Sequence, residues 1–457
     1  MIEDLVVAAR TEAAHDELIE HLRALLRIPS VSGDEIGAAR HVADVLAADG
    51  VPTEVLEPEP KRGSVVARLR GDGSGGGPLL LMSHLDVVPA PAERWTHDPF
   101  GGEIADGYVW GRGALDMKHM VAMELQLMLL LARHARAAGR DPASDPIPGL
   151  RRDVIYAATA DEEIGGDAGI GWIVDHRPEL IRADAALNED GGFTVAAFGR
   201  RLYPIQAGEK GYAWYRIDVA GTWSHGSMPG DANAAVRAAR IVDRLADPGP
   251  VRLTPAVERA IDTLRPLLPS DRSAGDGSDP AGFPGLWEEP YDRFWSALLR
   301  DTISPNILHA GVAQNVIPGT AEIELDCRIL PGTEHEAMLA ELRRRIGEDL
   351  WPHAVVEEAR WAHGIEQPLD GPIWAAMTGA LRAVDPDAVV VPFLAPWSTD
   401  AKHTARLGIP TYGFAPLQLG PGDGFLELAH ADDERVPVAG LKWGVGVLAD
   451  AVMRFCG

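Results

Sequence analysis

Cysteine is almost missing from this chain: Cys327 and Cys456 are the only two among 457 residues. That scarcity excludes a disulfide framework and any zinc site built on several thiolates, and it suits a reducing compartment. Positive charge is the second shortage. Against 68 Asp and Glu stand 42 Lys and Arg, a net charge of −26, and an acidic surface repels both nucleic acid and anionic membrane. Long apolar runs are missing too. The most apolar stretch, residues 120–132, contains Glu124 and Gln126 and is too short to cross a bilayer. The opening segment carries acids every few residues and no basic stretch ahead of an apolar one, so it does not read as a secretory signal. Together these shortages predict a cytoplasmic protein with neither nucleic acid nor membrane among its partners.

What is present is ordinary globular material, 46% apolar and 24% charged, in a chain too long for one ordinary domain. In the first half, helical apolar spacing (residues 14–27, 35–48, 118–138) alternates with short apolar runs (64–69, 79–82, 154–159, 185–187). That alternation predicts an α/β fold on a mostly parallel sheet with helices on both faces. Near Tyr203 the texture changes. Residues 212–219 and 321–329 alternate like half-exposed strands, and residues 270–285 form a low-complexity loop expected to help shape a substrate pocket. The α/β texture then returns, ending in a helix over 438–454. The expected organisation is a catalytic domain in two parts, 1–204 and 361–457, interrupted by an inserted α+β domain over 205–360.

The polar residues that stand out follow the apolar strands. Ser83-His84-Leu85-Asp86 comes directly after one, Asp161-Glu162-Glu163 after a second and Asn188-Glu189-Asp190 after a third. Parallel strands present their carboxyl ends on one edge, which is where ligands bind in such sheets. Taken singly, each group has a plainer reading as a solvated turn, and Asp116 in Gly111-Arg112-Gly113-Ala114-Leu115-Asp116-Met117-Lys118 equally suits a helix N-cap. Together with His430 they form a set of carboxylates and imidazoles without thiolate, which fits zinc, cobalt or manganese in a hydrolytic site. The His-Glu-x-x-His helix, the Gly-x-Ser-x-Gly elbow and the phosphate-binding P-loop are all absent, so single-zinc endopeptidase, serine hydrolase and NTPase readings lack their parts.

The ordered set SHLDVVP, GRGALDMK, ADEEIGG, NEDGG, GTWSHGSMP, NVIPGTAEIELDCRILPG and AHADDERV resembles the zinc exopeptidase family of aminoacylase, glutamate carboxypeptidase and succinyl-diaminopimelate desuccinylase. The resemblance spans residues from about 80 to 436. It implies a mostly parallel-sheet, phosphorylase/hydrolase-like catalytic domain and an inserted lid domain that serves as the dimerisation surface of a homodimer. It also implies two Zn²⁺, with Co²⁺ or Mn²⁺ as substitutes: His84 and Glu189 on one, Glu163 and His430 on the other, Asp116 bridging. Two dications against three carboxylates and one hydroxide leave no uncompensated buried charge. Glu162 would be the general base, Asp86 would orient His84, and the peptide after Asp116 would be cis. His225 would stabilise the oxyanion, often from a partner subunit, and Asn315 and Arg328 would contact the substrate, Arg328 by a fork on its free carboxylate. The family's pattern has one acid before glycines; here there are two, so Asp190 stands as the alternative to Glu189. Lys118-His119 likewise replaces the usual lysine-glycine. The implied activity is hydrolysis of an amide or peptide bond beside a free carboxylate, in an N-acyl-amino acid, a dipeptide or a C-terminal residue. The alternatives are a desuccinylase or deacetylase of a biosynthetic amine, and a non-catalytic binding protein of the same fold.

Overall fold

The computed structural model describes residues 2–268 and 291–457; the loop at 270–285, and any pocket it shapes, lies outside them. The chain forms two compact units. The first comprises Met1–Ala207, Gln367–Phe393 and Thr399–Gly457, and the second Gly208–Glu366 and Leu394–Ser398.

The first unit is built on a sheet whose strands run in the spatial order Thr53–Glu59, Arg62–Leu69, Val154–Thr159, Leu79–His84, Ala185–Asn188, Thr411–Gly413. The last four of these strands are mutually parallel, and Arg62–Leu69 runs antiparallel to both of its neighbours. The run Leu79-Leu80-Leu81-Met82 is apolar at every position because the strand is covered on both faces, and all six residues of Leu79–His84 are buried. Side chains alternate faces along it. Leu80 and Met82 pack against Ile170, Ile173 and Val174 of the helix Ile170–His176. Leu79 and Leu81, equally buried, project to the other face, where helices Lys118–Ala137 and Val438–Cys456 meet the strand. The first of those helices is buried along most of its length, which accounts for the apolar stretch noted in the sequence. Among the described residues no helix is long and apolar enough to cross a membrane.

In register, His84 lies opposite Thr159, and Ala185–Asn188 runs parallel on the other flank. Three neighbouring strands therefore release their chains on one edge, at His84, Thr159 and Asn188. This juxtaposition positions the candidate site.

The second unit carries a four-stranded antiparallel sheet in the order Thr302–Ala310, Thr320–Ile329, Gly211–Ala220, Ala354–Ala362. The strict alternation of Gly211–Ala220 puts Ala213, Tyr215, Ile217 and Val219 into a core closed by Ile241 and Leu245 of helix Ala234–Leu245 and by Met338 and Leu342 of helix His335–Ile346. Lys210 is fully buried at the start of this unit. Its ammonium donates to the carbonyls of Ala297 and Arg300 and to Thr302 Oγ1 at 2.9–3.2 Å, while burial pushes its pKa down to about 7. A separate two-stranded ladder joins Ser224–His225 to Val316–Ile317.

Candidate active site

The strand ends of the first unit bring His84, Glu162, Glu163 and Glu189 onto one edge, and two loops add Asp116 and His430. His84 Nε2 lies 3.2 Å from Asp116 Oδ1 and 3.5 Å from Glu189 Oε2. The other Asp116 oxygen is 3.3 Å from His430 Nε2, which is also 2.9 Å from Glu163 Oε2. Asp116 thus stands between the two imidazoles, one oxygen toward each. Ligand atoms of His84, Glu162 and Glu189 fall within 4.8 Å of one another, as do those of His84, Asp116 and Glu163. The Asp116–Met117 peptide is cis.

Local backbone explains how acids come to crowd here. Asp190, Gly191 and Gly192 all have positive φ (66°, 82° and 74°), and a Cβ on Gly191 would sit 2.6 Å from the Gly413 carbonyl. The double glycine lets the chain turn back against the neighbouring strand with Glu189 aimed at His84. Asp86 holds the opposite side. Its carboxylate accepts the amides of Glu162 and Glu163 at 3.0 and 3.1 Å and the Ser32 hydroxyl at 2.8 Å. The contact to His84 Nδ1 comes from the Asp86 carbonyl oxygen at 2.9 Å, with the carboxylate at 3.6 Å. The main-chain oxygen is the nearer of the two to the imidazole, and the side chain also fixes the Glu162–Glu163 turn.

Packing so many acids together distorts their titration. Burial and the Glu189 charge push the Glu162 carboxyl well above its ordinary range. Burial and Asp116 raise Glu163 to about 7. Asp116 and Glu163 in turn raise the His430 imidazole to about 10. Burial opposes charge on His84, but Glu189 and Asp116 outweigh it and hold its pKa well above normal. The imidazoles are thus doing what a bound cation would do, and a metal competes with their protons. Two buried carboxylate oxygens, Glu163 Oε1 and Glu189 Oε1, have no hydrogen-bond partner among the described residues. An orphaned buried acceptor calls for an explanation, and two of them in a cluster of carboxylates and imidazoles fit a cation site. The side chain of His430 is 55% exposed, so solvent reaches the cluster from its side.

Other buried residues support this site. Glu434 is fully buried and accepts hydrogen bonds from Arg112 Nη1, Gly113 N, Leu115 N and Asp116 N. It stands at the end of the acidic run 432–434, within the AHADDERV motif. Asp400 accepts from Thr159 Oγ1 at 3.1 Å, and Asn188 Nδ2 donates to Thr399 Oγ1 at 3.2 Å. A Cβ on Gly166 would collide with Asp400 at 2.2 Å. His403 is tied to the Gly165 carbonyl at 2.9 Å, as befits a residue that holds structure. His119 is buried, and burial pushes its pKa down to about 3.

The remaining candidates belong to the second unit. His225 is exposed; its Nδ1 accepts the Ser227 amide at 3.2 Å and lies 2.7 Å from Ser227 Oγ. An acceptor at Nδ1 leaves the proton of a neutral ring on Nε2. Asn315 sits beside it, its carbonyl accepting Gly226 N at 2.7 Å. Arg328 projects from the sheet and is forked onto Asp326, Nε to Oδ1 at 2.8 Å and Nη2 to Oδ2 at 3.0 Å. The fork expected for a substrate carboxylate is therefore engaged by a neighbour on its own strand.

Residues 80–454 match the sequence model for Peptidase family M20/M25/M40. Aminoacylase-1 of Sus scrofa is 27% identical over 444 residues, which is 93% of this chain and 92% of the relative. Among solved structures, the M20 family metallo-carboxypeptidase Sso-CP2 from Sulfolobus solfataricus superposes with a TM-score of 0.70 at 18% identity, covering 96% of this chain and 99% of that one. The Bacillus subtilis YXEP protein, described as a dinuclear metal binding peptidase from the M20 family, gives 0.60 at 16% identity, covering 97% and 98%.

Proposed function

The chain belongs to peptidase family M20/M25/M40 and is a metal-dependent hydrolase of amide or peptide bonds in small substrates, and from that premise we propose that it uses two zinc ions to cleave an amide beside a free carboxylate. The observation that carries the reading is the placement of Asp116 between two imidazoles, with Glu189 on one side and Glu163 on the other. His84 and Glu189 would hold one ion, Glu163 and His430 the second, and Asp116 both. When bound, such a pair of ions supplies an acidified water and polarises the scissile carbonyl.

The protein's own residues do the rest. Glu162 is fixed through its amide by Asp86 and lies within the same cluster, so its carboxylate takes the water's proton and delivers it to the leaving amine. The contact of the Asp86 carbonyl oxygen with His84 Nδ1 fixes the imidazole with Nε2 turned toward the acids. His225, with Nδ1 taken by the Ser227 amide, offers an Nε2–H donor suited to an oxygen that gains charge in the transition state. Asn315 and Arg328 are the proposed substrate contacts, and the second unit the proposed lid and homodimer surface.

The test is a panel of N-acyl-amino acids, dipeptides and N-acyl diamines, each with zinc added. Turnover confined to substrates with a carboxylate next to the scissile amide supports the reading; preference for acylated diamines lacking that carboxylate replaces it with a deacylase of amines. Arg328 gives a second check. If it leaves Asp326 for the substrate, Arg328→Ala raises KM by ~10–100-fold for carboxylate substrates, the loss expected for a charge-assisted hydrogen bond, and changes KM for the matching carboxamides little. Equal effects on both would leave Arg328 as a partner of Asp326 alone.

A further inference from the structure

The Arg112–Glu434 pair lies beside the cluster without belonging to it. Both side chains are almost fully buried. Each Glu434 oxygen accepts two N–H groups: Oε1 from Leu115 N at 2.7 Å and Asp116 N at 2.9 Å, Oε2 from Arg112 Nη1 at 2.6 Å and Gly113 N at 3.1 Å. Four donors and no acceptor leave no place for a proton, or for the NH₂ of an amide. The other arm of Arg112, Nη2, donates to the carbonyl of His430 at 3.3 Å. The guanidinium lies over the Trp95 ring, 5.1 Å from its centroid, and the next residue, Thr96, donates to Asp433 from its amide and its hydroxyl at 2.6 and 2.8 Å. One buried ion pair thus grips the backbone of Asp116 and the backbone of His430, two residues whose side chains meet at 3.3 Å.

A buried ion pair is weak evidence for stability, because desolvation offsets its attraction; its best-attested use is to fix register. The His430 backbone sits in the left-handed region at φ 62°, a conformation that neighbours must hold in place. We infer that Arg112 and Glu434 are positioning residues that set the mutual geometry of Asp116 and His430, and so determine the affinity of the ion held on the Glu163–His430 side. This rests on the two-metal reading above.

The test strips the full-length protein with a chelator and retitrates it with Co²⁺, followed by calorimetry and visible absorption, with thermal unfolding as a check on the fold. Wild type should take up two ions. Glu434→Gln places an NH₂ against backbone donors and should weaken the ion on the Glu163–His430 side ~10–100-fold, the range for loss of an outer-shell partner, and the other ion, which shares only Asp116, clearly less, with one set of cobalt bands shifted more than the other. Arg112→Lys keeps the charge but loses the arm to His430. It should fold like wild type and weaken the same ion about tenfold, so it decides the matter if Glu434→Gln fails to fold. Wild-type affinity and spectrum for both ions in a folded variant would overturn the inference, as would equal weakening of the two. Wild-type protein that takes up fewer than two ions would instead overturn the two-metal reading itself, and the inference with it.

Discussion

Glu162→Gln should reduce kcat by about 10²–10⁴-fold, the usual contribution of a positioned general base, while KM and bound metal stay close to wild type. The amide matches the carboxylate in shape, so the hydrogen bond from the Glu162 amide to Asp86 and the packing of the turn survive. Only the ability to take a proton is removed. Steady-state kinetics on a good substrate, with metal content measured on the same sample, reads both halves of the result. A variant that keeps near-normal turnover would transfer the base to another group, and one that loses an ion would make Glu162 a ligand, a role its distance to His84 and Glu189 permits.

The second large effect is that of chelation. Removal of metal should abolish turnover, and zinc or cobalt should restore it where magnesium does not, because imidazole and carboxylate donors in this mixture favour the borderline transition ions over a hard, strongly hydrated one. On the two-metal reading, recovery should track the second equivalent of metal. An enzyme indifferent to chelators would contradict the family's metal dependence and remove the reason for the crowded acids.

Much of this cluster was legible in the sequence because its chemistry sits at strand ends. The apolar runs before His84, Asp161 and Asn188 mark buried parallel strands, and a parallel sheet brings their exits together without further information. What could not be read is burial. Glu434 and Asp433 are adjacent acids of identical appearance, yet Glu434 is fully buried and Asp433 is not. The role of the Asp86 carbonyl was equally hidden, since nothing in an amino-acid type says which of its oxygens will face a ring nitrogen. In the fold, the missed strands Arg200–Glu209 and Thr302–Ala310 contain Pro204 and Pro305, and proline argues against a strand unless a bulge accommodates it. Thr302–Ala310 does carry its irregularity at Pro305.

The order of the strands has one more consequence, for how the protein folds. Val154–Thr159 and Ala185–Asn188 flank Leu79–His84 in space, and His430 arrives from the far end of the chain. No short fragment holds two residues from each side of the cluster. Strand pairing across such separations must therefore precede a complete set of ligands, and long loops closed late make for slow folding. Metal that binds only the finished arrangement then adds its binding free energy to the native state alone, about 4 kcal/mol at a free concentration a thousand times Kd. On this basis the ions would act as a clasp closed last, and depletion of zinc would be felt by the nascent chain as well as by the working enzyme.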